Sequence, residues 1–202
     1  MGKIYRIIAS LLVGVIVAVG VYYVYQSQRA RRAGILSESI EHKGDIWETN
    51  FSARLPATEA SVFDAIKNFE NSHSEEIKSI KVLSESGNEK TVEMTLAAPA
   101  GQTITTVLQF RYFPADRKIT YKTVNAADFA TDAEYQLTNE GSNTLLKFHG
   151  QTKITQQLPV PDGVIKHVIR GTFMAQLEGL RRTLHIQSTQ ADEDSDDPYT
   201  LF

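Results

Sequence analysis

The chain has 202 residues, a formal net charge of -3, 42% hydrophobic residues and no cysteine. That length allows one short hydrophobic segment and one domain with its own core, but not two cores, and the absence of cysteine excludes disulfides, thiolate metal sites and a cysteine nucleophile. Basic Arg29, Arg31 and Arg32 follow an apolar start, acidic Asp192, Glu193, Asp194, Asp196 and Asp197 crowd the end, and the near-neutral middle lacks the concentrated basic face that nucleic acid requires.

Residues 7–28 carry no charge, and IIASLLVGVIVAVGVYYVY is almost wholly apolar. At a rise of ~1.5 Å per residue such a helix crosses a ~30 Å hydrocarbon core. Lys3 and Arg6 flank one side, and Tyr22, Tyr23 and Tyr25 stand where an interfacial aromatic belt belongs. Residues 1–28 are therefore expected to be a transmembrane anchor with its flanks, making the lipid bilayer a partner. A cleaved secretory signal is the alternative; the length of the run and its bulky tyrosine end argue against it. The two basic flanks nearly balance, with a lean towards a cytoplasmic domain. Ser10, Gly14 and Ala18 recur every four residues, spacing that would let two anchors pack as a weak homodimer, although a monomeric anchor fits equally well.

Residues 29–45 are polar without a sustained period and read as a juxtamembrane linker. Alternation begins in IWETNFSARL, where Trp47, Thr49, Phe51, Ala53 and Leu55 share one side of a half-buried strand. Pro56 ends it. Thr58 then precedes EASVFDAIKNF as a hydroxyl cap, with Val62, Phe63, Ile66 and Phe69 at helical spacing, and a short polar turn is expected to follow to about Ser74.

From residue 77 to 157, strand patterns are separated by turn signals at SGNE, AAPAG, PADR and NEGSN, which predicts about six antiparallel strands. Ile104, Leu108, Phe110 and Tyr112 share one face, as do Leu146, Phe148 and Ile154. After LPVPDG, a helix over about 164–186 carries a stripe of Ile165, Val168, Ile169, Thr172, Phe173, Gln176, Leu177, Leu180 and Leu184, opposite His167, Glu178, Arg182 and His185. Residues 190–202 form an acidic tail too polar to order itself.

A sheet of this kind must cover its apolar face, and only the final helix is long enough to do so. The expected fold is α+β, a curved antiparallel sheet of about seven strands wrapped round a long C-terminal helix, with a cavity between them. Over residues 46–185 the chain resembles the SRPBCC superfamily of START-like and polyketide-cyclase-like domains, which have the helix-grip fold. The resemblance is carried by ARLPAT, by EASVFDAIKNFEN directly after it, by the strand series, and by PVPDGVIKHVIRGTFMAQLEGLRRTL. It assigns residues 46–189 to one START-like domain. Many members place an aromatic-Pro-x-Trp segment after the first helix, where this chain has ENSHSEEIKSIK, which puts the pocket edge near that helix in doubt. The resemblance implies a hydrophobic cavity that binds, carries or presents lipids, sterols, quinones or polyketides, and the fold alone does not say which.

His42, His73, His149, His167 and His185 are scattered, and none stands at metal-ligand spacing. His149 alternates with Phe148 and should face solvent. No GxSxG, P-loop or GxGxxG is present, so neither a metal nor a nucleotide cofactor is expected. The paired carboxylates Glu75 and Glu76 look solvated, which gives them no reason to act as acid or base. The remaining candidates are polar side chains expected to face the cavity as ligand-binding residues: Thr49, Thr106, Tyr112, Tyr121, Tyr135, Thr152, Thr172 and Gln176. They suit a hydrophobic small molecule with one polar end, although tyrosines with rings in the core and hydroxyls at its margin would look the same.

Three functions follow. The first is a membrane-anchored binding module for a lipid, quinone or similar molecule; the second is a cyclase or dehydratase in which cavity tyrosines donate protons; the third is a protein-interaction module with a filled core. A connected void of ~300 Å³ or more would favour binding, and a filled core would favour the third.

Overall fold

The structure is a computed structural model that describes residues 34–69, 77–97, 103–124, 129–154 and 162–186. The expected anchor and acidic tail lie outside the described residues, as does the turn expected to about Ser74. Among the described residues, no helix is long and apolar enough to cross a membrane.

Eight strands form one antiparallel sheet: β1 (Ile35–Lys43), β2 (Ile46–Leu55), β3 (Ile77–Ser86), β4 (Glu89–Ala97), β5 (Thr103–Phe113), β6 (Lys118–Thr123), β7 (Phe129–Glu140) and β8 (Asn143–Ile154). Helix α1 (Glu59–Lys67) follows β2 and helix α2 (Asp162–Thr183) follows β8. The strand order is β1-β2-β8-β7-β6-β5-β4-β3, so β1 and β3 are the two edges and only the β2 to β8 neighbourhood is non-sequential.

The expected α+β sheet and long closing helix are present, with one correction. The sheet has eight strands because residues 35–43, read as part of the linker, form β1 and pair with β2 from Ile35 opposite Ala53 to Lys43 opposite Ile46. Alternation is weak there for a physical reason. The positions of β1 opposite Phe51, Thr49 and Trp47 are Glu38, Ile40 and His42, and two of these three meet charge rather than hydrocarbon. Glu38 pairs with Arg170 at 3.0 Å and His42 with Asp162 at 2.9 Å. These contacts lay α2 along the β1 edge.

Strand β2 alternates as expected, with Trp47, Thr49, Phe51, Ala53 and Leu55 buried. Thr58 caps α1, its side-chain oxygen accepting from the Ser61 N–H, which satisfies one of the free donors of a helix start. Val62, Phe63, Ala65 and Ile66 then turn towards the sheet.

Helix α2 packs by its second half. Phe173, Met174, Ala175, Leu177 and Leu180 are buried, whereas Val164 and Val168 are each 39% exposed. The apolar stripe expected along the whole helix is thus closed against the sheet only from Phe173 onward. The anchor point is Phe173, stacked on Phe51 with ring centroids 4.0 Å apart and tilted against Phe148 at 5.3 Å. Gly150 makes room for this cluster, because a Cβ there would stand 2.9 Å from the Phe148 ring.

Candidate functional site

Between α2, α1 and the sheet lies an apolar pocket. Helix α1 contributes Ala65 and Ile66, with Phe69 just beyond it; the sheet contributes Ile77, Met94, Leu108, Phe110, Tyr121, Tyr135 and Leu146; α2 contributes Phe173, Gln176, Leu177 and Leu180. The void is about 50 Å³. That is well below the roughly 300 Å³ at which ligand pockets begin and below the roughly 150 Å³ cavity known to hold one benzene ring.

The wall contains three polar side chains, all on elements the fold brings together at mid-sheet. Tyr135 on β7 donates its hydroxyl hydrogen to Oε1 of Gln176 on α2 at 2.7 Å. Tyr121 on β6 lies beside Tyr135, with centroids 6.0 Å apart, and packs against Phe110 at 5.1 Å. Burial pushes both phenols up, Tyr135 well above the ordinary tyrosine range and further through its neighbour Tyr121. Both therefore stay protonated, able to donate a hydrogen bond.

Of the eight candidates, Tyr121, Tyr135 and Gln176 line the pocket and five do not. Thr49 is buried on β2 and its hydroxyl has no hydrogen-bond partner among the described residues. Thr106 is buried on β5 opposite Met94. Tyr112 is buried with its hydroxyl 3.5 Å from the Lys67 carbonyl at the end of α1, and Lys67 Nζ sits 5.8 Å from its ring centre. Thr152 pairs with Thr131 across β8 and β7 at 3.0 Å. Thr172 turns its hydroxyl back onto the Val168 carbonyl of its own helix at 3.0 Å, the local bond that serine and threonine make in helices. A period-two pattern tells which face a residue occupies but not how far along the strand the helix covers that face, and this is why the four strand residues miss the pocket.

The pocket residues that the polar search passed over are the apolar ones of α1 and β4. Ala65, Ile66 and Met94 line the pocket, and the helical spacing of Val62, Ile66 and Phe69 is the signal that points to the α1 part of that wall. His149 faces outward as expected, with Nδ1 2.8 Å from Asn50 Oδ1. Among the described residues no group of three His, Cys, Asp or Glu side chains gathers as a metal site.

Residues 47–185 match the family model described as polyketide cyclase / dehydrase and lipid transport. No curated protein matches the sequence. Solved structures resemble it in fold. The Zhui aromatase/cyclase from Streptomyces sp. R1128 is 14% identical with a TM-score of 0.61, over 69% of this chain and 94% of that one. A START superfamily protein from Mycobacterium smegmatis is 17% identical with a TM-score of 0.55, over 69% and 99%. A STAR-related lipid transfer protein from Xanthomonas axonopodis is 15% identical with a TM-score of 0.54, over 75% and 99%.

Proposed function

Because the chain belongs to the polyketide cyclase / dehydrase and lipid transport family, we propose that it binds a hydrophobic small molecule in the pocket between α2 and the sheet. The observation that carries this reading is a wall of hydrocarbon interrupted by one hydrogen-bonded polar pair, Tyr135 and Gln176, with Tyr121 beside it. That is the composition of a site that orients an apolar ligand by a single polar end. The void is about 50 Å³, so a ligand of ordinary size has to widen it on entry. The place to widen is between α2 and the sheet, since the first half of α2 leaves Val164 and Val168 exposed.

We further infer that residues 7–28 tether the domain to a bilayer, with the domain on the cytoplasmic side and a lipid or quinone of that bilayer as ligand. This rests on the uncharged apolar run and its basic flanks.

Solvent extraction of the purified full chain followed by mass spectrometry tests the binding reading. A hydrophobic molecule recovered in near-stoichiometric amount is expected. A chain that yields none, and whose thermal midpoint is unmoved by added lipid extract, would overturn it. The volume of the void favours a second reading, a domain with a filled core that acts through its surface. Under it, pull-down partners persist when the pocket is filled by Ala65→Leu.

A further inference from the structure

Tyr135 fixes the orientation of the Gln176 amide. With Oε1 accepting the phenol hydrogen at 2.7 Å, the Nε2 group of Gln176 keeps two N–H donors, and neither has an acceptor among the described residues. The Tyr121 hydroxyl likewise has no hydrogen-bond partner among the described residues. The polar end of the pocket is therefore rich in donors. Its one amide oxygen already accepts one of the two hydrogen bonds it can take.

Among the described residues, no lysine, arginine, histidine, aspartate or glutamate lines the pocket. A carboxylate or phosphate brought there would lose its hydration without gaining a counter-charge, which is costly. A carbonyl oxygen has two lone pairs and no charge, so it can accept two hydrogen bonds at once, and Gln176 and Tyr121 both line the pocket. A plain hydrocarbon would strip water from these donors and leave them unpaired, which is also unfavourable. The raised titration of the two phenols keeps Tyr121 in its donating form throughout the physiological range.

We propose that the pocket selects a neutral hydrophobic molecule bearing a carbonyl oxygen, received by the Gln176 amide N–H and the Tyr121 hydroxyl. This rests on the pocket being a ligand site, and it narrows the ligand to ketones, esters and quinone-like carbonyls over acids and hydrocarbons.

Three probes of one size separate the possibilities: acetophenone, ethylbenzene and benzoate, titrated calorimetrically into the full chain in one detergent. Acetophenone is expected to bind roughly tenfold more tightly than ethylbenzene, with benzoate weakest. In the Gln176→Met/Tyr135→Phe pair, which removes the amide donors together with the hydroxyl that Met alone would strand, the advantage of acetophenone should shrink to the part Tyr121 supplies while ethylbenzene binding holds. Tyr121→Phe, which leaves the Tyr135–Gln176 bond intact, should remove part of it. Equal binding of acetophenone and ethylbenzene, tightest binding of benzoate, or an advantage undiminished in both variants overturns the donor assignment and leaves the pocket standing. Failure of all three probes to bind overturns the pocket reading, and the donor assignment with it.

Discussion

Tyr135 and Gln176 meet across the space between sheet and helix, the phenol on β7 donating to the amide oxygen on α2 at 2.7 Å. Elsewhere this stretch of α2 is held by apolar contact, chiefly Phe173 on Phe51 and Leu177 and Leu180 over the sheet. Apolar contact is tolerant of sliding, whereas a hydrogen bond in a dry wall fixes register. The pair therefore sets how α2 lies on the sheet as well as marking the polar end of the pocket.

Tyr135→Phe keeps the ring and removes the donor. It should lower stability by about 1 kcal/mol, the usual net value of one such bond, seen as a lower urea midpoint at unchanged slope. Leu177→Ala, which opens a cavity in the same helix, should cost about 2–5 kcal/mol. An unshifted midpoint for Tyr135→Phe would show that the bond contributes nothing to seating the helix.

Thr49 offers the opposite sign. Its side chain is only 3% exposed and its hydroxyl has no partner among the described residues, so the folded state carries an uncompensated desolvation cost. Thr49→Val replaces that hydroxyl with a methyl of similar size and should stabilise the domain by about 1 kcal/mol. Thr49→Ala leaves a void and should not. If Thr49→Val destabilises, the hydroxyl has a partner that the structure does not show.

The contrast between Thr49 and Gln176 also shows what a sequence pattern carries. Alternation placed Thr49 on the inward face of β2 correctly, and helical spacing placed Gln176 on the inward side of α2. Both assignments are local, since each follows from the geometry of one element. Which inward residues share a pocket depends on the seating of α2, and that is decided by contacts between residues far apart in the chain. Glu38 with Arg170 and His42 with Asp162 are such contacts. Polar residues at inward positions also hid β1, because an edge strand that meets a helix through polar contacts lacks the hydrophobic period by which strands are recognised. The volume of the void was beyond pattern altogether, since it depends on how side chains such as Phe148 and Phe173 fill the space.

The two phenols make a prediction about alkaline pH. Tyrosine in an unfolded chain titrates near 10, and burial raises both Tyr121 and Tyr135 above that in the folded state. Below pH ~10 both states hold the proton and stability is unaffected; above it the unfolded state releases protons that the folded state keeps, so stability falls as pH rises. The Tyr121→Phe/Tyr135→Phe pair should flatten that fall. It should also leave unchanged the tyrosinate absorbance that develops before unfolding, because these two tyrosines do not contribute to it. Loss of early tyrosinate signal in the pair would mean that one of the phenols is open to solvent.

The last prediction concerns where the folded domain starts. A sequence reading puts the boundary at residue 46, and the structure puts β1 in front of it. There Arg54 N–H donates to the Gly34 carbonyl at 2.9 Å, and His42 stacks on Trp47 with ring centroids 4.3 Å apart and planes within 5°. Ile35 and Ile40 pack against the core. Removing residues 1–45 would strip these contacts, leave β2 as an unpaired edge and expose Trp47, which is 1% exposed in the full fold. A chain of residues 46–202 should therefore be less stable than one of residues 34–202 by about 1–3 kcal/mol, since two partly buried isoleucines contribute less than their full burial value. Trp47 is the single tryptophan, so its fluorescence reports the loss directly, red-shifted in the shorter chain before any denaturant is added. Gly34→Ala tests the same junction without truncation. Gly34 has φ +80°, and a Cβ there would stand 2.5 Å from the Arg54 carbonyl oxygen, so alanine should cost about 1–2 kcal/mol through strain alone. Equal stability and identical Trp47 emission in the two chains would return β1 to the role of a tether, because a strand that seats α2 cannot be removed without consequence for the residues beneath it.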